Sequence, residues 1–400
     1  MGNKNSKILY VSSVTSQSRF DQECRDKLRT EGYQNQKFHN LLLRGLSEVF
    51  DGLIEVVSKP LPSKAVRVKK LRETDDGITY YHPATLRIPI LRQFLEYTSS
   101  KRQIKKLISK GTVIICNAMD EFLTYAAIDA ARSKGVKICG VVTDVPGYTS
   151  GAEGVAGGIK GYLLRILLKK SISSSKQYDA YILLAEAMNS IVNPLHKPYI
   201  VIEGFSDARM KDVANTLEGK SQPKTIMYAG GIHKEYGIKT LVDAFLRINP
   251  SDWRLLIYGM GNYRDDLLNV CKAHQNVIYK GGATNDVIVR EQLRASLLVN
   301  PRPTKEEFVK YSFPSKTMEC MASGTPLITT HLPSMPVEYY PYVYFFDDES
   351  TGGIAKALSY VLSLPIEKLH EKGSAAKSFV LNNKSNIKQA KKLINFLNDQ

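Results

Sequence analysis

Apolar positions along this chain follow two alternating patterns. Short, nearly continuous apolar runs predict strands buried on both faces, and the segments between them, with a 3.6-residue apolar period, predict helices. In the first half the predicted strands are 7–14, 53–57, 112–117, 136–143, 180–184 and 199–203. The predicted helices there are 34–50, 89–110, 121–134 and 155–171.

The second half repeats this alternation more regularly. Its predicted strands are 225–229, 254–258, 277–279, 295–300, 326–330 and 343–346. Gly, Pro or Asn stands at almost every junction, and helices are predicted to begin near Ile238, Arg264, Asp286, Pro314 and Thr351. Two successive arrays of this kind predict an α/β protein with two Rossmann-like domains.

A polar segment over 204–223 separates the two arrays and ends in Pro just before a new strand. We therefore predict a first domain over 1–205 and a second domain over 206–383. A Ser/Ala/Lys-rich passage near residue 373 precedes a last amphipathic helix, 385–398, within a terminal segment 384–400.

The net charge of +16 is concentrated in the first domain. Residues 1–205 carry 30 Lys/Arg against 19 Asp/Glu, a difference of +11, which leaves +5 for the remaining residues. Such an excess attracts nucleic acid, phosphorylated ligands or an anionic membrane surface. No apolar stretch is long enough to predict a membrane span, since even 138–159 contains Asp144, Pro146 and Glu153.

The five cysteines are scattered and form no CxxC pair, which is typical of a reducing cytosol and argues against a disulfide framework or structural zinc. The acidic pairs Asp75–Asp76 and Asp347–Asp348 are adjacent and do not form an Asp-x-Asp motif. We therefore expect no metal and no cofactor.

The segment 300–324 is the strongest candidate for a functional site, because a strand ends there, a loop follows and a helix starts at Pro314. Free N–H groups in the first helical turn, at Ser315, Lys316 and Thr317, together with the Lys316 cation, predict a diphosphate site. Glu319, one turn further on, would reach a sugar hydroxyl. The alternative is an ordinary first-turn lysine and a glutamate that only complements the helix dipole.

The passage SFPSKTMECMASGTPLI resembles the characteristic helix of family-4 glycosyltransferases, which carry a Glu-x7-Glu pair before a small-residue stretch and Gly-x-Pro. Glu319 matches the second Glu, so the resemblance implies that it contacts the nucleotide ribose. Tyr311 stands where the first, sugar-facing Glu belongs. That role would therefore pass to Tyr311 or to Glu306/Glu307, and we take Tyr311 and Glu307 as catalytic candidates.

The passage MYAGGIHKEYGIKTLVDAF resembles the opening of the second domain in that family. Gly231 and Tyr236 replace the Arg and Lys that hold the donor diphosphate there. Its binding would then fall to Arg302, Lys305 and Lys316, with the Gly230–Gly231 backbone allowing close approach. The loop with Gly282 and Thr284 lies where the family recognises the base.

In the first domain, a strand delivers Thr143 and Asp144 to its carboxyl end, where the family often has His-Asp. Asp144 is the candidate for a catalytic contact with the acceptor hydroxyl or the sugar, and capping of the following turn is the alternative. Gln36 and His39 lie on a helix whose start faces the cleft in this family. They are acceptor-side candidates together with Thr143.

The resemblance covers nearly the whole chain and is strongest over 224–347. It implies the GT-B fold, in which two Rossmann-like domains face each other across a cleft and a C-terminal helix, here in 384–400, returns to the first domain. It also implies a retaining, hexosyltransferase-type enzyme that is similar to bacterial transferases of capsular or other surface polysaccharides. Its donor would be a nucleotide sugar and its acceptor a lipid-linked or other oligosaccharide. The alternatives are a GT-B nucleotide-sugar epimerase and a non-catalytic nucleotide- or polyanion-binding protein.

Two cationic amphipathic segments, 101–110 and 158–170, predict contact with an anionic membrane surface. Each could instead be a core helix with a charged outer face. With both in the basic first domain, we expect a cytoplasmic protein bound peripherally at the inner face of the cell membrane. Nucleic acid is not an expected partner, because the basic runs lack interleaved aromatic residues.

Overall fold

A computed structural model describes residues 6–28, 32–88, 91–145 and 177–400. Contacts within the chain divide it into two units. The first consists of Met1–Phe205 together with Asn386–Gln400, and the second is Ser206–Ser385. Within the described residues, no helix has both the length and the apolar character needed to cross a membrane.

The first unit is built on an eight-stranded sheet with the strand order β10-β9-β8-β7-β1-β2-β5-β4. Neighbouring strands are parallel except for the β4–β5 pair. A separate antiparallel pair is formed by β3 and β6. The strands are β1 Lys7–Val11, β2 Leu53–Val57, β3 Arg67–Val68, β4 Leu71–Asp75, β5 Ile78–His82, β6 Thr85–Leu86, β7 Thr112–Asn117, β8 Ile138–Val142, β9 Ala180–Leu183 and β10 Tyr199–Val201.

Helices cover this sheet, and one of them comes from the chain terminus. The C-terminal helix (Asn386–Asn398) packs on α2 (Tyr33–Val49), and a side chain at Gly45 would collide with the carbonyl of Asn386. Its Leu393 shares one buried core with Leu42 of α2. The other helices of this unit are α1 Gln17–Arg25, α2 Tyr33–Val49, α3 Leu91–Leu107, α4 Glu121–Lys134 and α5 Asn189–Val192.

The second unit contains a six-stranded, wholly parallel sheet with the order β13-β12-β11-β14-β15-β16. Apolar clusters cover both of its faces. Its strands are β11 Lys224–Ala229, β12 Trp253–Tyr258, β13 Val277–Tyr279, β14 Leu297–Asn300, β15 Leu327–Thr330 and β16 Tyr344–Phe346. Its helices are α6 Ile238–Ile248, α7 Arg264–Ala273, α8 Asn285–Arg294, α9 Ser315–Ser323, α10 Thr351–Leu362 and α11 Ile366–Asn383.

The α/β fold class predicted from the sequence is confirmed, and each predicted strand is present with its ends within three residues of the prediction. The Ser/Ala/Lys-rich passage near residue 373 lies inside α11. There Gly373 lets the helix approach the turn at Gly324, whose carbonyl a side chain at 373 would strike. The predicted helix 155–171 lies outside the described residues.

Candidate functional site

The order in which the chain adds strands to the second sheet reverses between β11 and β14. From β11 the chain adds β12 and β13 on one side, and from β14 it adds β15 and β16 on the other. In open parallel sheets, ligands bind beyond the carboxyl ends of the strands at such a reversal. The loops that leave β11 and β14 therefore define the candidate site.

Glycine-bearing turns form one side of this site. The N–H of Gly230 donates to the carbonyl of Tyr258 at 3.0 Å, and the N–H of Gly259 donates to that of Gly281 at 2.8 Å. Gly259 has φ +141°, and a side chain there would collide with the carbonyl of Gly230. The turns after β11, β12 and β13 are thus held side by side, and a ligand can approach their backbone closely.

Lys316, the second residue of α9, places its amine against the backbone of Gly230, where a β-carbon would collide with it. The Nζ atom also lies 5.8 Å from the centre of the Tyr228 ring. Burial lowers the pKa of the Lys316 amine, and the nearby Glu319 carboxylate partly opposes that shift. A bound anion at this position would restore the charged form.

The start of α9 differs in detail from the sequence-based expectation. The helix begins at Ser315 and Pro314 occupies the N-cap position. The N–H of Thr317 donates to the Pro314 carbonyl at 2.9 Å, so it is not available to a ligand as expected. Ser315 is exposed and Glu319 is half-buried.

A small pocket joins Lys316 to the end of β14. Tyr228, Asn300, Lys316 and Cys320 are among its lining residues. The amide Nδ2 of Asn300 is buried and has no hydrogen-bond partner among the described residues. Sequence reasoning missed Asn300, although its position as the last residue of a buried strand could have indicated it.

The loop after β14 is fixed on two sides. The Thr330 hydroxyl donates to the carbonyl of Arg302 at 2.6 Å, and the N–H of Thr304 donates to the Glu349 carboxylate at 3.1 Å. The Arg302 guanidinium lies over the Phe308 ring at 4.9 Å and contributes to lowering the pKa of Lys316. Two cations therefore share the end of β14. Lys305, also predicted to bind the donor, is exposed on the same loop.

The residues predicted to face the sugar and the base also occupy loops of this unit. Tyr311 is half-buried and Glu307 exposed, at opposite ends of a 3-10 helix, Glu307–Tyr311. Gly282 and Thr284 are exposed in the loop after β13. Gly231 accepts a hydrogen bond from the Tyr228 hydroxyl at 2.7 Å through its carbonyl.

In the first unit, Thr143 and Asp144 follow β8 as expected, and Asp144 is exposed. Gln36 is buried, and its amide donates to the Thr15 carbonyl at 2.7 Å and accepts from the Thr15 N–H at 3.1 Å. His39 is fully buried and hydrogen-bonded to the Tyr10 hydroxyl through Nδ1. Both side chains therefore form hydrogen bonds with other residues of the first unit.

A polar cluster that the sequence did not indicate lies at the carboxyl ends of β1, β2 and β7. Asp120 pairs with the Lys59 amine at 2.6 Å, and it accepts hydrogen bonds from the Ser13 N–H at 2.8 Å and the Asn117 amide at 3.2 Å. Burial raises the pKa of the neighbouring Glu96. The signal was polar residues at or within three residues of the end of each strand, but only the sheet order shows that these strands are neighbours.

The two units, each a doubly wound sheet, define the class: this is the GT-B glycosyltransferase fold. Residues 223–363 match the family model of group 1 glycosyl transferases. Every donor-side residue discussed above lies within that stretch. The expectation of a glycosyltransferase is thereby confirmed at the level of the matched domain.

Solved structures agree in fold. Sucrose-phosphate synthase from Thermosynechococcus elongatus superimposes with a TM-score of 0.68 at 14% identity, covering 98% of this chain and 99% of that one. The structure of HepE of Anabaena in complex with UDP superimposes with a TM-score of 0.62 at 10% identity, covering 99% of this chain and 100% of that one. A third structure is a mutant of S. aureus TarM in complex with fondaparinux, alpha-GlcNAc-glycerol and UDP. It superimposes with a TM-score of 0.59 at 14% identity, covering 84% of this chain and 65% of that one. A search of curated protein sequences gave no match.

Proposed function

We propose that this protein transfers a sugar from a nucleotide sugar to a glycan acceptor with retention of anomeric configuration, and that the donor nucleotide is UDP. The observation that carries the proposal is the Lys316 amine against the Gly230 backbone at the sheet reversal, inside the matched glycosyl transferase region. The UDP bound to HepE and to TarM supports the choice of nucleotide.

In this proposal the donor diphosphate lies between the Gly230–Gly231 backbone and the cations Lys316 and Arg302. Fixed cations and helix N–H groups stabilise charge on a leaving diphosphate without reorganising during the reaction. Glu319 binds the ribose, and the loop with Gly282 and Thr284 binds the base. Lys305 and Ser315 complete the donor side.

The reaction breaks the bond between the anomeric carbon and the diphosphate oxygen, which leaves with the electron pair. The acceptor hydroxyl forms the new bond to that carbon and loses its proton to the departing diphosphate. In the second unit, Tyr311 and Glu307 are proposed to contact the sugar. In the first unit, Asp144 is proposed to contact the acceptor hydroxyl. Because cations already balance the diphosphate charge, we expect the reaction to proceed without a metal, and activity lost to a chelator and restored by Mn²⁺ would contradict this.

The acceptor is proposed to be a lipid-linked glycan of surface polysaccharide synthesis, handled by a cytoplasmic protein bound at the inner membrane face. The basic first domain supports this location. Segment 101–110 does not provide the membrane contact expected of it, because Ile104 is fully buried on the inner face of α3. Segment 158–170 lies outside the described residues.

The proposal is tested by incubating the protein with individual UDP-sugars and a lipid-extracted glycan fraction, and by measuring UDP release and product configuration by NMR. Acceptor-dependent release with a retained anomeric configuration is expected. Conversion of the donor sugar without any acceptor would favour the epimerase alternative. Binding of UDP without turnover on any donor would favour a non-catalytic protein.

A further inference from the structure

One surface of the first unit combines cations with exposed apolar side chains. Residues 59–72 contain six Lys/Arg and no Asp/Glu, and residues 84–95 contain two Lys/Arg and no Asp/Glu. Lys64, Arg67, Lys69, Lys70, Arg87 and Arg92 are all exposed. An exposed surface with this composition carries a strong positive potential.

Four large apolar residues are exposed within it. Val66 and Phe94 are each 62% exposed, Ile88 43% and Leu91 39%. Backbone hydrogen bonds join the segments that carry them, because the Arg87 N–H donates to the Val66 carbonyl at 2.7 Å and the Arg92 N–H donates to the Ile88 carbonyl at 2.9 Å. Leu91 and Phe94, three residues apart, share one face of α3. We call these four residues the apolar strip.

The apolar strip lies at the carboxyl edge of the first sheet. The other end of α3 is at the amino edge, since the Lys7 amine at the start of β1 donates to the Leu107 carbonyl at 2.6 Å. The basic segment 59–72 also begins at the carboxyl edge, where Lys59 pairs with Asp120 after β7. The acidic turn Asp75–Asp76, between the antiparallel strands β4 and β5, is at the amino edge. The cations around the apolar strip therefore lie at the carboxyl edge, and a second basic stretch, with Lys105 and Lys106 in the last turn of α3, lies toward the amino edge.

We propose that the apolar strip and the cations around it dock the first unit on an anionic lipid bilayer. Exposed apolar side chains insert at the headgroup boundary, while Lys and Arg are attracted to acidic lipids. The inference rests on the membrane location proposed above and assigns it to a surface. It also places the acceptor-side edge of the sheet, with Thr143 and Asp144, next to the lipid where a lipid-linked acceptor would be held.

Membrane docking by this surface is tested by vesicle sedimentation at low salt, with vesicles of mixed phosphatidylglycerol and phosphatidylcholine. The wild type is expected to bind these vesicles and not pure phosphatidylcholine. Leu91→Ser/Phe94→Ser should lower partitioning by at least about tenfold. Arg67→Gln/Arg87→Gln should lower it by about fivefold for each charge removed.

Matched controls use sites away from the strip. Leu53→Ser replaces an exposed apolar residue at the amino edge, and Lys356→Gln/Lys368→Gln removes two exposed charges from the second unit. Both should partition like the wild type. Equal losses in controls and strip variants, or no loss in the strip variants, would overturn the proposal. So would loss of heparin binding without loss of vesicle binding, which would indicate a polyanion site.

UDP titration of the same variants separates this inference from the proposed reaction. Strip variants that also keep the wild-type midpoint of urea unfolding have a folded first unit, so their vesicle result stands. If the wild type binds vesicles through the strip but binds no nucleotide, the docking surface holds and the donor proposal fails.

Discussion

The amine of Lys316 lies against the backbone of Gly230, in space that a side chain at 230 would need. This contact joins the first turn of α9 to the loop after β11, and it brings a partly desolvated cation to the reversal point of the sheet. It gives the donor side of the site a definite geometry and is the basis of several predictions.

Gly230→Ala should displace the Lys316 amine without unfolding the protein, because the atom that the new β-carbon would strike most closely is the mobile end of a long side chain. The Tyr228 hydroxyl, 2.8 Å from that β-carbon position, would have to shift as well. We expect UDP affinity to fall by about tenfold or more, the effect of losing one charge-assisted contact. Combined with Lys316→Gln, the loss should not be additive, since both changes remove the same contact. Calorimetric titration of the four proteins measures this. Gly219→Ala, in an exposed loop of the same unit, is the control, and full additivity would show that Gly230 acts separately.

Glu319→Ala should weaken UDP binding by about tenfold to a hundredfold if the carboxylate accepts hydrogen bonds from the ribose. A sharper readout is the ratio of affinities for UDP and its 2′,3′-dideoxy analogue. The wild type should prefer UDP, and the variant should not discriminate between them. Glu367→Ala, on the exposed start of α11, serves as a control that should leave the ratio unchanged. A ratio preserved in Glu319→Ala would place the ribose elsewhere.

The buried His39 should make the first unit sensitive to acid. Burial lowers its pKa to about 4 from the ordinary value of 6.5, so between these values the unfolded chain binds more protons than the folded one. The free energy of unfolding should therefore fall as pH decreases through this window, by about 2 kcal/mol from His39 alone between pH 6.5 and about pH 5.

Urea unfolding at about pH 7 and about pH 5 checks that prediction. His39→Gln keeps a hydrogen-bond acceptor for the Tyr10 hydroxyl but has no titratable ring. The variant should show a smaller loss of stability between the two pH values than the wild type. An identical loss in both proteins would mean that other groups carry the acid sensitivity.

The elements that the sequence predicted best are strands with a run of buried apolar residues. Strands such as β7 and β12 contain such a run and could be located from hydrophobicity alone. The antiparallel strands β4 and β5 were missed, because β4 alternates half-buried and exposed residues and is held by pairing with β5. Its partner is determined by tertiary contacts, which a one-dimensional pattern does not contain.

The residues of the candidate site also differ in whether the sequence alone could predict them. Lys316 could be predicted because it follows a helix-starting Pro within one local segment. Asn300 could have been noticed as the last residue of a predicted strand, but the surroundings of Asn300 and Asp120 could not be predicted, because they depend on which strands are neighbours in the sheets. For His39, helical periodicity placed it near the start of α2, but only the structure shows that it points at Tyr10 of β1.

The central claim is that Lys316, at the reversal of the second sheet, binds the diphosphate of a nucleotide donor. Calorimetric titration of UDP, without metal, into wild type and Lys316→Gln tests it most directly. Lys356→Gln, which removes an exposed charge from α10 of the same unit, is the control and should bind UDP like the wild type. We predict selective binding of UDP over GDP, ADP and CMP. We also predict an affinity that decreases in the wild type as the pH rises and the Lys316 amine loses its proton. In Lys316→Gln, binding should be weaker and its pH dependence absent. Equal affinity in wild type and Lys316→Gln at every pH, or no binding of any nucleotide, would contradict the account.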